Sequence, residues 1–332
     1  MVISMEIVSR RWSNPPHVPG DTKFNHSQIL GWSRSSATTP MQVQLHMVQL
    51  LVNMSAFQGL VNVTGIHLYS EKKLIIKSIQ ERSTPFQSVG ILKSLSHPNI
   101  IKFETSFLHN GKCHIVMEYC EGGDLRKYLQ KCKGVSPEFR IPEINIMRWV
   151  NQLCEGLAYL HSQKFIHRDI KPENIFLTGD EREVKIGDFG LARDLNNTSY
   201  ANTVVGTHRY FAPEICKMTN DPYAQYKDKV DTWSLGIVSY ELATLKCPFK
   251  EERDSKDNVF YTKLLEKQEN IDYNPISGSG YSSFLSKLIK KMLQFEHQVR
   301  PSISDILQMQ YTQMDSIFNM PIDSTVRKEI FK

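Results

Sequence analysis

The chain has 332 residues, 40% of them hydrophobic and 10% aromatic, enough apolar side chain for one two-lobed domain or two small ones. Its 40 basic and 35 acidic groups leave a net charge of +5 with the basic residues scattered, so no nucleic-acid partner is expected. No apolar run reaches the roughly 18 residues of a membrane span, and the opening MVISMEIVSRRWSNPPHVPG lacks the pattern of a secretory signal. Six cysteines without CxxC or Cys/His spacing read as reduced thiols of a cytoplasmic protein, with the nucleus or cytoskeleton as alternatives, and no membrane association is expected.

Residues 1–40 are rich in Ser, Asn, Pro and Thr without periodicity and are expected to stay disordered. Across 42–79, β-favouring runs (QVQLHMVQLLV, GLVNVTGIHLY, KLIIKSI) alternate with polar breaks and predict three antiparallel strands, with Lys77 closing the strand LIIK. Val89, Leu92 and Leu95 recur at helical spacing, and IIKFETSFL and CHIVMEY read as two further strands. Beyond Gly122 the pattern turns helical. Met147, Val150, Cys154, Leu157 and Leu160 form one stripe over 143–161, and 230–245 is apolar all round, as a central helix is. FLSKLIKKMLQF and ISDILQMQ add surface helices. Strands first and helices later predict an α+β fold in two lobes, a small antiparallel β lobe and a larger, mainly helical one.

The chemistry concentrates in three ordered motifs: HRDIKPEN at 167–174, DFG at 188–190 and APE at 212–214. Together they resemble the signature of the eukaryotic protein kinases. Phosphoryl transfer needs positioning and charge neutralisation more than covalent chemistry. On that reading Asp169 accepts the proton of the attacking hydroxyl, and Lys171 reaches the γ-phosphate. Asn174 and Asp188 offer the hard oxygen ligands that Mg²⁺ takes together with phosphate oxygens. The Lys within DIKPEN resembles the Ser/Thr class. The likeness further implies that Lys77 pairs the α- and β-phosphates of ATP and that 115–125 (IVMEYCEGGDL) is a hinge. There Met117 is the gatekeeper, backbone groups of Glu118 and Cys120 bond the adenine edge, and Asp124 reaches the ribose. The bland alternatives are an edge strand with a Gly-Gly turn, and a strand lysine that is simply solvated.

DFGLARDLNNTSYANTVVGTHRYFAPE, MEYCEGGDL, PENIFL, DTWSLGIVSYELATLKCPF and HQVRPS narrow the resemblance to the NIMA-related kinases, over 97–308. It implies that Phe176 lies beneath the adenine and that Asp231 braces the HRD backbone. Glu214 and Arg300 form an ion pair, and Leu92, His167 and Phe189 stack. Thr203 stands where the family is phosphorylated, with Ser199 second, and Arg168 offers that phosphate a charge-assisted fork. The implied kinase domain covers 41–312, with a small lobe over 41–119, a large lobe over 120–312 and a short tail over 313–332. No coiled-coil heptads follow it, so a monomer is expected.

The chain also departs from the pattern. Residues 53–63 hold Gly59 as their one glycine where a Gly-rich loop belongs, and Met54, Ser55 and Gln58 do not supply its backbone freedom. Ser88 falls at the position of the helix glutamate, and Glu81 is a poor substitute. Ile75 replaces a customary alanine, and His208 and Arg209 replace Pro-Tyr in the substrate-facing loop. Two readings result: a Ser/Thr kinase using ATP with Mg²⁺ (or Mn²⁺) on protein substrates, or a pseudokinase scaffold of the same fold. An altered N-terminal region over 1–70 is a third. Retention of Lys77, Asp169, Asn174 and Asp188 favours the kinase.

Overall fold

The computed structural model describes residues 66–67, 73–80, 85–109, 112–194, 207–217, 228–249 and 258–318. The disorder expected over 1–40, the strands expected over 42–65, the 53–63 loop, Glu81, Ser199 and Thr203 lie outside the described residues. The chain divides into two units at Tyr119/Cys120, with Ser94–Ile101 grouped with the C-terminal unit.

The N-terminal unit is a four-stranded antiparallel sheet of β1 (Ile66–His67), β2 (Lys73–Gln80), β3 (Phe103–His109) and β4 (Lys112–Glu118), in the order β1-β2-β4-β3. Leu74 and Ile76 alternate inward along β2 and are buried, whereas Ile75 and Lys77 on the other face stay partly open. Helix α1 (Pro85–Ser94) forms where the helical spacing predicts it, burying Ile91 and Leu92. One expectation needs correction. Lys77 does not end its strand; the ladder with β4 runs on to Gln80↔Lys112, because the partner strand continues to pair with Ser78, Ile79 and Gln80.

The C-terminal unit is mainly helical, built from α2 (Leu125–Lys133), α3 (Glu143–Ser162), α4 (Pro213–Lys217), α5 (Lys229–Thr244), α6 (Asn258–Glu269), α7 (Asn274–Ser277), α8 (Ser283–Met292) and α9 (Ile303–Phe318). Its short strands β5 (Gly123–Asp124), β7 (Ile175–Leu177) and β8 (Val184–Ile186) form one sheet, and β6 (Phe165–Ile166) pairs with β9 (Arg193–Asp194). No helix among the described residues is long and apolar enough to cross a membrane.

Helix α5 buries every residue from Val230 to Ala243, as its all-round apolar sequence demands. Its serines turn inward onto carbonyls: Ser239 Oγ donates to Leu235 O at 2.8 Å, and Ser234 Oγ donates to Tyr210 O at 2.8 Å. Gly236 lets α8 approach, since a Cβ there would stand 2.8 Å from Leu293 Cδ2 and 2.9 Å from Met292 Cβ. On α3 the buried stripe is Ile146, Trp149, Val150, Leu153, Cys154, Leu157 and Leu160. Met147, expected in that stripe, is only half-buried; the core side follows the i, i+4 step from Ile146 to Val150, leaving Met147 on the flank.

Arg300, fully buried, joins the end of α8 to α4. Its guanidinium donates to both carboxylate oxygens of Glu214, at 2.7 and 3.0 Å, and to the carbonyls of Gln294, Lys229 and Phe295. It also lies 5.0 Å from the Trp233 ring centre. Glu214→Gln keeps the shape but replaces one accepting oxygen by a donor facing a donor. A loss of about 1–3 kcal/mol in unfolding free energy is expected, read as a lower urea midpoint at unchanged slope.

Candidate active site

After β6 the chain turns through 167–171, with Arg168 in the left-handed region at φ 67°. That conformation costs a non-glycine residue about 1 kcal/mol, so something must hold it. The holder is Asp231, fully buried in the first turn of α5. Its Oδ2 accepts from His167 N–H at 2.9 Å and from His161 Nε2 at 2.8 Å, and its Oδ1 accepts from Arg168 N–H at 2.8 Å. Burial opposes the carboxylate's charge, yet the hydrogen bonds it accepts from the His161 ring and the His167 N–H prevail and hold its pKa below the ordinary value.

The loop so fixed places Asp169 between two donors. Its Oδ2 accepts from Lys171 Nζ at 2.8 Å and from Asn174 Nδ2 at 2.8 Å. Asn174 Nδ2 also donates to Asp169 O at 2.8 Å, so both amide hydrogens are spent on Asp169 and Oδ1 remains as the acceptor. Lys171 Nζ further donates to Thr207 Oγ1 at 3.0 Å.

The DFG turn is tied to this loop at four points. Gly187 N–H donates to Asn174 O at 2.9 Å, and His167 Nε2 donates to Gly187 O at 3.0 Å. The other imidazole nitrogen accepts from Asp169 N–H at 3.3 Å, which sets the tautomer. Phe189 stands edge-on to His167 with ring centres 5.0 Å apart, and Arg168 Nε donates to Leu191 O at 2.7 Å. Asp188 itself is left-handed at φ 59°, and its Oδ1 accepts from Gly190 N–H at 3.2 Å.

Phe176 lies on β7 opposite Asp124 of β5, so the two side chains share a face. The ring packs on Gly187, where a Cβ would come within 2.7 Å of Phe176 Cε2; only glycine fits before Asp188. The Asp124 carboxylate caps α2, accepting from Lys127 N–H at 2.9 Å and pairing with Lys127 Nζ at 3.0 Å, so any ribose contact shares it with the cap. Cys120 is buried, and its carbonyl accepts from Gly123 N–H at 3.1 Å.

The remaining nucleotide candidates belong to the N-terminal unit. Met117 stands opposite Ile75, and Lys77 opposite Ile115, which puts Ile75, Lys77 and Met117 on one sheet face. Glu118 N–H donates to Lys102 O at 3.0 Å, and its carboxylate accepts from Lys102 N–H at 2.6 Å. The backbone N–H of Glu118 is thus committed within the sheet. Leu92 is buried in the same unit, and Ser88 is a position of α1.

Sequence reasoning missed a buried cluster around Arg126. Its Nε donates to Glu173 Oε1 at 2.7 Å, and its Nη1 donates to Glu241 Oε1 at 3.1 Å. Its Nη2 bonds Tyr210 OH, which donates to Glu241 Oε2 at 2.7 Å. Burial works against the charge of Arg126, but Glu241 and its other partners raise its pKa above the ordinary value; burial, then Glu241, push Tyr210 up as well. The available signal was Glu241 itself, a carboxylate inside an apolar helix that had to find a cation.

A strand-rich unit followed by a helical unit, with an HRD loop bonded to a DFG turn around one carboxylate, is the architecture of a protein kinase domain. Residues 59–312 match the protein kinase domain family, and the chain belongs to that family. It is 43% identical over 230 residues to serine/threonine-protein kinase Nek5 of Homo sapiens, covering 69% of this chain and 30% of that protein. It is 41% identical over 232 residues to serine/threonine-protein kinase Nek1 of Mus musculus, covering 70% and 18%. Against the probable serine/threonine-protein kinase nek3 of Dictyostelium discoideum it is 38% identical over 253 residues, covering 75% and 21%. The chain thus spans less than a third of the length of these relatives. The α+β, two-lobed reading and the likeness to the NIMA-related kinases both hold.

Proposed function

We propose that this domain transfers the γ-phosphoryl group of ATP to Ser or Thr hydroxyls of protein substrates. The observation that carries the reading is the Asp169 carboxylate, held at 2.8 Å by both Lys171 and Asn174. So placed, Asp169 orients an incoming hydroxyl and takes its proton. Lys171 keeps a cation beside the hydroxyl and the transferred group, and Lys77 steadies the other phosphates. Phe176 and Met117 line the adenine, Asp124 meets the ribose, and backbone groups of Glu118 and Cys120 bond the base edge.

The donor set suits Mg²⁺, or Mn²⁺ in its place. Asn174 has one oxygen left over, Asp188 adds a carboxylate, and no group of three His, Cys, Asp or Glu side chains forms a cage among the described residues. A cation that takes few protein ligands and completes its shell with phosphate oxygens fits that sparse set. When bound, it neutralises phosphate charge. Thr203 and Ser199 are the proposed regulatory acceptors, with Arg168 as the phosphate's partner, and a monomer in the cytoplasm completes the reading.

The test is radiolabelled ATP transfer by the purified chain with Mg²⁺, to itself or to casein, beside Asp188→Asn. Label that falls to a small fraction of the unaltered protein's is expected in the variant, because the amide removes the charge offered to the cation. Equal, background-level label in both proteins establishes the pseudokinase scaffold instead.

A further inference from the structure

A single guanidinium stands where four elements of the C-terminal unit meet. Arg126 lies on α2, two residues after the Asp124 cap. Its Nε donates to Glu173 Oε1 at 2.7 Å, its Nη1 to Glu241 Oε1 of α5 at 3.1 Å, and its Nη2 to Tyr210 OH. The Tyr210 hydroxyl in turn donates to Glu241 Oε2 at 2.7 Å. The donors of a guanidinium are set in one rigid plane, so the three partners are held at fixed places relative to one another.

Two of those partners lead back to Asp169. Glu173 belongs to the 3-10 turn Pro172–Asn174, between Lys171 and the Asn174 amide that bonds Asp169 Oδ2 at 2.8 Å. Asn174 N–H closes that turn on Lys171 O at 2.9 Å. Glu173 Oε2 is buried without a hydrogen-bond partner, so among the described residues Arg126 alone holds this carboxylate. Tyr210 ends a second 3-10 turn, His208–Tyr210, and its N–H closes on Thr207 O at 3.0 Å. Thr207 Oγ1 accepts from Lys171 Nζ at 3.0 Å, and the same Nζ lies 2.8 Å from Asp169 Oδ2. These contacts form a closed ring. It runs from Arg126 through Glu173 to Lys171, across to Thr207, along the turn to Tyr210 and back to Arg126.

We propose that Arg126 is a positioning residue for phosphotransfer, locking the Asp169 loop and the Thr207–Tyr210 turn in one register. This deepens the phosphotransfer reading and rests on it for its catalytic consequence. Arg126 acts through its partners, by Glu173 on one side and Tyr210 on the other. A closed ring fixes the separation of the two segments, whereas a ring opened at one bond lets each drift against the other. Phosphoryl transfer depends on geometry more than on covalent chemistry, so a loosened register lowers turnover. The nucleotide contacts proposed above include none of Arg126, Glu173 and Tyr210, so the loss falls on kcat and spares KM for ATP.

The experiment uses the full chain as Arg126→Lys, as Tyr210→Phe and as the double variant. Arg126→Lys keeps the charge but has no planar fork. Tyr210→Phe removes only the hydroxyl, keeps the buried ring, and decides the matter if Arg126→Lys melts early. Peptide transfer with Mg²⁺-ATP is measured well below each melting temperature, with hydrogen exchange read by mass spectrometry in parallel. A fall in kcat of about 10- to 100-fold is expected in Arg126→Lys, the scale of a misplaced reacting group. In Tyr210→Phe the fall is about fivefold, one neutral hydrogen bond's worth. The double variant should lose no more than the worse single one, because both substitutions open the same ring. Amides of 167–175 and of 207–211 should exchange faster together in each variant, while those of 303–310 on α9 do not change. Unpaired exchange of the two segments overturns the proposal, as does a rise everywhere at once, the mark of plain destabilisation. Losses that multiply in the double variant overturn it too. Background transfer by the unaltered protein sinks the phosphotransfer reading and leaves the paired exchange to uphold or overturn the lock. Full transfer in both single variants sinks the Arg126 assignment alone.

Discussion

Asp169→Asn lowers phosphotransfer by about 10²- to 10⁴-fold while leaving the fold intact, the range expected when a positioned general base is lost. An amide cannot take the proton of the attacking hydroxyl, and it removes the negative charge that Lys171 Nζ and Asn174 Nδ2 approach at 2.8 Å. The remaining amide oxygen still accepts one hydrogen bond, and the loop keeps its anchors, since His167 and Arg168 are tied to Asp231 through backbone N–H groups. The side chain is partly buried at the unit's surface, so the melting temperature should move by only a few degrees. The decisive measurement is kcat at saturating ATP, with thermal melting as the control for folding. Turnover within a factor of a few of the unaltered protein removes Asp169 from the role of base.

Much of this site is legible in the amino-acid sequence because its chemistry dictates residue types at fixed places. The proposed reaction asks for a base, a nearby lysine and two hard oxygen ligands in order along two loops, and 167–174 and 188–190 hold residues of those types. The Asp231 brace and the Glu214–Arg300 pair follow from the resemblance, and the structure gives them physical content as hydrogen bonds to backbone and to a buried guanidinium. What stays hidden is what long-range packing decides. Arg126 lies in LRKYLQKCK among several other cations, and nothing in that run reveals that it alone reaches two distant carboxylates. Tyr210 and Thr207 likewise look like loop residues, because nothing local reveals that Glu241 and Lys171 meet them. Lys77 looks like a strand end because the branched run stops there, but the partner strand keeps the ladder going for three more residues. Periodicity locates helix Glu143–Ser162 but misjudges Met147, since an apolar residue on the flank of a wide stripe satisfies the same spacing.

Asp231→Asn should cost at least about 1–3 kcal/mol of stability, because it leaves a buried donor without its acceptor. The carboxylate accepts three hydrogen bonds on two oxygens; an amide offers one oxygen and turns its NH₂ group against N–H donors of His161, His167 or Arg168. At least one backbone N–H is then buried without an acceptor, and the left-handed Arg168 loses the contact that offsets its strain. The pH dependence follows from the sign of the Asp231 shift. Its pKa is lowered in the folded protein, so the folded state favours the charged form. The stabilisation is complete above the unfolded carboxyl pKa of about 3.9 and is lost as pH falls below it through the folded value. Urea unfolding of both proteins should therefore show the full gap at neutral pH and a gap that narrows in acid below about pH 4, where the unaltered carboxyl also becomes neutral. Turnover should fall with stability, since the Asp231 contacts hold the turn that presents Asp169. A gap that stays constant into acid would mean that packing at this position, and not the charge of Asp231, supports the loop.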